Sequence, residues 1–102
     1  MKKPVLAATL VALALPLSTI AHAGPIESAC MRSDRGGSRS LCGCIQQVAD
    51  MTLKNGDQRR AAKFFSDPDE AQRVRMSTKD ADNAFWGRYK NFGETAQAYC
   101  GG

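Results

Sequence analysis

Four cysteines carry the reactive chemistry of this sequence: Cys30, Cys42, Cys44 and Cys100. Their types and spacing fit three uses. Cys42-Gly43-Cys44 sets two thiols one residue apart, and thiols joined through a flexible glycine could open and close during disulfide exchange. Four thiolates could hold zinc, although structural zinc sites usually space paired cysteines by two to four residues. An even cysteine count in an oxidising compartment fits two disulfides that staple a small domain. An exchange motif more usually reads Cys-x-x-Cys at a helix start and needs no further pair, so stapling is the expectation. Pairing Cys42 with Cys44 would enclose only Gly43 in a strained ring. On a helix turning about 100° per residue, Cys42 and Cys44 flank the apolar stripe Leu41, Ile45, Val48 and Thr52 on opposite sides. Each therefore reaches a different neighbour. Two connectivities remain: Cys30–Cys42 with Cys44–Cys100, slightly ahead if Cys30 and Cys42 stand level across the glycine loop, or Cys30–Cys44 with Cys42–Cys100.

Other reactive groups are few. The single histidine, His22, lies in a leader-like segment. Without it, residues 24–102 have no material for a Ser/His/Asp triad, a Cys-His dyad, histidine-ligated metal or haem attachment. No metal or cofactor is expected. Asp80, Asp82 and Trp86 form the best set for holding a guanidinium, which needs a carboxylate in fork geometry and an aromatic plane. Both acids also stand near a helix start, where capping and the helix dipole explain them equally well. Arg32, Arg35 and Arg39, then Arg59, Arg60 and Lys63, then Arg73 and Arg75 would make a basic face for an anionic partner only if they converged. Interleaved acids favour a solvated surface instead, and no nucleic-acid partner is expected.

The elements that must position these residues follow from patterning. The chain of 102 residues has formal net charge +4. Met1 to Lys3 is a short basic start, Val5 to Leu15 an apolar run, and Ala21-His22-Ala23 a small-residue cleavage site, so residues 1–23 read as a signal peptide. Lys2 and Lys3 leave with it, and the charge of the remaining 24–102 domain falls to +2. The run is shorter than the roughly 20 residues a membrane span requires, so no span is expected in the mature chain. Residues 24–102 hold only two Leu, two Ile, two Val and four Phe. That is a poor core, and a domain of this size usually needs a staple.

Apolar residues recur at helical spacing, and the expected fold is an all-α, disulfide-stapled domain of four to five short helices. A first helix runs from Pro25 through Met31, before a polar loop over 33–38. A second carries the Leu41 stripe and is expected to stop at Asn55-Gly56. Asp57 is expected to cap a third of about ten residues, with Ala61, Phe64 and Phe65 inward and Arg59, Arg60 and Lys63 outward. Asp67-Pro68-Asp69-Glu70 starts a fourth that buries Ala71 and Val74. Ser77-Thr78-Lys79-Asp80 reads as a capping box opening a last helix with Ala81, Phe85, Tyr89, Phe92, Ala96 and Tyr99 on one face, and a bend near Gly93. Trp86 lies off that face and is expected to cover the third helix.

The segments Ile26-Glu27-x-Ala29-Cys30-Met31, Ser40 through Asp50, Asp57 through Pro68 and Ala98-Tyr99-Cys100 resemble a family of small exported alphaproteobacterial proteins that often carry the label "arginine transporter". The resemblance spans nearly all of residues 24–102 and brings no ligand residues with it. It implies a periplasmic accessory to arginine or amino-acid transport, since a chain without a membrane span cannot itself conduct a solute. The leading expectation is a non-catalytic periplasmic or secreted binding protein whose partner, protein or small molecule, is not specified. The alternatives are the transport accessory and a thiol–disulfide redox protein using Cys42 and Cys44. Specific binding of free arginine is not expected.

Overall fold

A computed structural model describes residues 24–33 and 37–101. The proposed leader, its cleavage site and the loop residue Arg35 lie outside the described residues. Five helices follow in order: α1 (Pro25–Arg32), α2 (Arg39–Thr52), α3 (Asn55–Ser66), α4 (Pro68–Arg75) and α5 (Asp80–Cys100). The described residues contain no strand, so the domain is all-α.

Helix α2 is central: it packs on α1 and on α5, while α1 also meets α3 and α4 bridges α3 and α5. Their apolar stripes bury one core of Ile26, Val48, Ala49, Leu53, Ala61, Phe64, Val74, Phe85 and Phe92. Aromatic rings compensate for the shortage of aliphatic residues. Phe64 meets Phe85 edge-on at 6.0 Å and Tyr89 edge-on at 5.0 Å between centroids. Trp86 lies 5.1 Å from Tyr89 and 6.3 Å from Phe64, covering α3 as expected. Tilted and edge-on pairs of this kind add to plain area burial.

Two disulfides close the fold. Cys30 joins Cys42 and Cys44 joins Cys100, with Cα–Cα distances of 5.6 and 5.9 Å. The first of the two open connectivities is the one formed. Cys42 and Cys44 leave α2 on opposite sides, one toward α1 and the other toward the end of α5, as their helical angles require.

Several local expectations are corrected. Asn55-Gly56 does not end α2; the helix stops earlier at Leu53, in extended conformation, and Asn55 already opens α3. The reversal needs no left-handed residue because Leu53 is buried and its carbonyl accepts a hydrogen bond from Gln58 Nε2 at 3.2 Å. Asp57 is not the cap of α3 but a first-turn acid drawn to Arg88 of α5. Asp67 stands at the cap position of α4, yet its side chain makes no capping bond. The Ser77 capping box is also absent: Lys79 holds the cap position of α5, and the Ser77 hydroxyl donates to Asp82 Oδ2 at 2.7 Å. Ala81 and Tyr99 are exposed rather than inward. By contrast, Ser38 does cap α2, accepting from the Leu41 amide at 3.0 Å.

Candidate functional site

The cysteines occupy unequal environments. Cys30 and Cys42 are buried, while Cys44 and Cys100 are half-buried. Among the described residues every cysteine is paired, and no group of three His, Cys, Asp or Glu side chains converges as a metal site. The Cys42-Gly43-Cys44 thiols are therefore spent on two separate cross-links rather than on one dithiol.

The proposed guanidinium set is split by the fold. Asp80 is exposed at the start of α5, and Trp86 packs on Phe64 and Tyr89. Asp82 is taken by a guanidinium of the same chain. Arg60 Nη2 lies 2.6 Å from Asp82 Oδ1, and the Arg60 guanidinium carbon stands 4.5 Å over the Phe85 ring. The Arg60 bond, followed by that from Ser77, holds the Asp82 carboxyl below its ordinary value. Carboxylate and aromatic plane do come together here, with Phe85 in place of Trp86, and Arg60 fills the position a free arginine would need.

Two further ion pairs form among the described residues. Arg88 grips Asp57 with both arms of its fork, Nε to Oδ2 at 2.6 Å and Nη2 to Oδ1 at 3.2 Å. That contact raises the Arg88 pKa above its ordinary value. Arg73 pairs with Glu70 one turn away on α4. Of the three basic groups read from the sequence, Arg60 and Arg73 turn to acids, while Arg32 and Lys63 line one groove.

Two buried glutamines escaped the sequence reading. Gln46 accepts the Glu27 amide through Oε1 at 2.9 Å and donates to Gln58 Oε1 at 2.8 Å and Asp50 Oδ1 at 2.9 Å. Gln58 donates to Asp50 Oδ1 at 3.1 Å and to the Leu53 carbonyl. Gln46 thus serves as the cap that Gly24, without a side chain, cannot give α1. A Cβ on Gly24 would stand 2.5 Å from the Gln46 amide carbon, so a larger residue would push the Gln46 side chain out of this place. The network locks α1, α2 and α3 and leaves no amide arm for a ligand. Its signal in the sequence is position: Gln46 falls four residues after Cys42 and three before Ala49, on the buried side of α2.

Of the hollows that remain open, one is lined mainly by apolar residues. A cavity of about 310 Å³ is lined by Leu41, Ile45, Phe64, Phe65 and Tyr89, with the Cys30 side of the first disulfide and Ser33 at its edge. Phe65 and Ile45 are half-buried and pack against the core, so the cavity is a continuation of it toward the surface. Burial in this apolar wall raises the Tyr89 phenol pKa above its ordinary value. A few polar groups around an apolar hollow is the usual make-up of a small-ligand site, and this one stands at the small end of the size range. No family model, curated protein or solved structure matches the chain.

Proposed function

We propose that the protein is a non-catalytic helical binding module of the periplasm or extracellular space, and that its binding site is the apolar cavity between α2, α3 and α5. One observation carries this reading: the carboxylates Asp57, Glu70 and Asp82 are closed on arginines of the same chain, whereas Leu41, Ile45, Phe64, Phe65 and Tyr89 line a hollow that stays open. Two disulfides fit an oxidising compartment, and no described helix is long and apolar enough to cross a membrane. Export with loss of residues 1–23 is part of the proposal; intact-mass measurement should find Gly24 as the first residue, and retention of Met1 would refute it.

A role beside an amino-acid transporter has less support, because Arg60 occupies the carboxylate and ring that would receive arginine. Thiol exchange through Cys42 has less support as well, because that sulfur is fully buried in a cross-link to α1.

Titration of the oxidised protein with the neutral fluorescent probe phenylnaphthylamine tests the site. Saturable emission enhancement is expected, lost in Ile45→Trp, which fills the hollow, and unchanged in Met51→Ala at an exposed position outside it. No enhancement in the native protein, or equal enhancement in Ile45→Trp with native far-UV circular dichroism, refutes the cavity as a binding site.

A further inference from the structure

The mouth of the cavity narrows the chemistry of its ligand. Ser33 and Phe65 line the apolar hollow on one side and a second groove on the other, so the two depressions adjoin across these side chains. The second groove is lined by Ala29, Ala62, Ser66 and Pro68 together with Arg32 and Lys63. Arg32 closes the last turn of α1 and Lys63 stands in the last turn of α3. Both are exposed, and neither is among the arginines and lysines drawn into the ion pairs at Asp57, Glu70 and Asp82. One end of the combined trough is therefore aromatic and aliphatic, and the other is cationic.

A hollow at the start of α5, lined by Arg60, Glu70, Arg73, Val74, Lys79 and Asp82, is the main competitor for an anion. Val74 and Met76 give it an apolar part as well, but both of its arginines are already neutralised by Asp82 and Glu70. The Arg32–Lys63 groove differs in that neither of its cations belongs to those ion pairs.

Resting on the cavity as the binding site, we propose that the ligand is a monomeric single-chain anionic amphiphile, of which a medium-chain fatty acid is the simplest form. The acyl chain lies in the hollow against Ile45, Phe64 and Tyr89. The carboxylate stands between Arg32 and Lys63, where a charge-assisted contact at the surface fixes which end faces out. A second acyl chain would exceed a hollow of about 310 Å³, so the chemistry is that of a free amphiphile rather than a bilayer phospholipid.

Trp86, the only tryptophan, packs on Tyr89 and Phe64 from behind the cavity wall and serves as an intrinsic reporter. Titrating the oxidised protein with hexanoate, octanoate and decanoate, each below its micelle concentration, should change Trp86 emission saturably. Affinity should rise about fourfold for each added methylene that is buried. Decanol should bind at least fivefold more weakly than decanoate, and Arg32→Gln with Lys63→Gln should erase that difference while leaving phenylnaphthylamine binding intact. Decanol or decylamine binding as tightly as decanoate overturns the anionic head but leaves the cavity as a binding site. Binding only to vesicles containing anionic phospholipid overturns the monomeric ligand. Failure of phenylnaphthylamine, decanoate and decanol alike removes both this proposal and the binding site beneath it.

Discussion

Asp82 shows how one side chain can have the right chemistry for a ligand and already be satisfied by its own chain. A carboxylate near an aromatic ring is what a guanidinium needs, and Arg60 is the guanidinium that arrives. Because Arg60 and then Ser77 lower the folded pKa of Asp82 beneath its ordinary 3.8, ionised Asp82 favours the folded state. The linkage has one sign: stability from this group is full above the unfolded value and is lost as pH falls through the lower folded value. Thermal melts between neutral pH and pH of about 2 should therefore show a steeper acid decline in the native protein than in Asp82→Asn, whose acid limb is flattened. Equal slopes would mean that the Arg60 contact does not distinguish the two protonation states. The glutamines make a second test at this scale. Gln46→Leu keeps the volume but strands the part-buried Glu27 amide and the buried Gln58 carbonyl oxygen. The expected loss is about 2–4 kcal/mol in denaturant unfolding, since each stranded buried group costs about 1–3 kcal/mol. A loss under about 0.5 kcal/mol would show that water replaces these partners.

Helix type and order were legible in the sequence because they follow from periodicity, which local residues set by themselves. The stripe Ile45, Val48 and the run Phe85, Tyr89, Phe92 face inward as the 3.6-residue repeat requires. The same geometry placed Cys42 and Cys44 on opposite flanks of α2. Helix starts were less legible. Asp57 and Ser77 have capping side chains, but Arg88, 31 residues on, and Asp82, five residues on, compete for them and win. Gln46 and Gln58 were hidden for the converse reason: an amide looks solvated until the neighbouring helices supply all its partners. The cavity was invisible because its wall is assembled from three helices. Within α5, Gly87 is exposed, and a Cβ there would meet nothing within 4 Å. Gly87→Ala should therefore stabilise the protein by about 0.5–1 kcal/mol through helix propensity alone, read as a raised melting temperature. No gain would indicate that α5 is distorted at this turn.

For the whole molecule, covalent links take over what a small core cannot supply. Cys30–Cys42 spans 12 residues of sequence and Cys44–Cys100 spans 56. Restriction of the unfolded chain makes them worth about 3 and about 4 kcal/mol. Aromatic rings fill much of the remaining core, but reduction removes both constraints together. Reduced and alkylated protein should lose cooperative thermal unfolding, whereas the oxidised form keeps it; a sharp, unshifted transition after reduction would show that the helices hold without staples.

Gly43 joins the two sulfur bridges, and this gives the domain an uneven response to tension. A pull between Gly24 and Gly101 travels along α1 to Cys30, crosses to Cys42, passes through Gly43 to Cys44, and crosses again to Cys100. The backbone from Ile45 through Tyr99, which holds most of the core, hangs beside that path as an unloaded ring. Stretched by its ends, the oxidised molecule should lengthen only by the straightening of α1 and the last residues, with α3 and α4 shielded from the force. The hidden length should appear in a single long step when a reductant opens Cys44–Cys100.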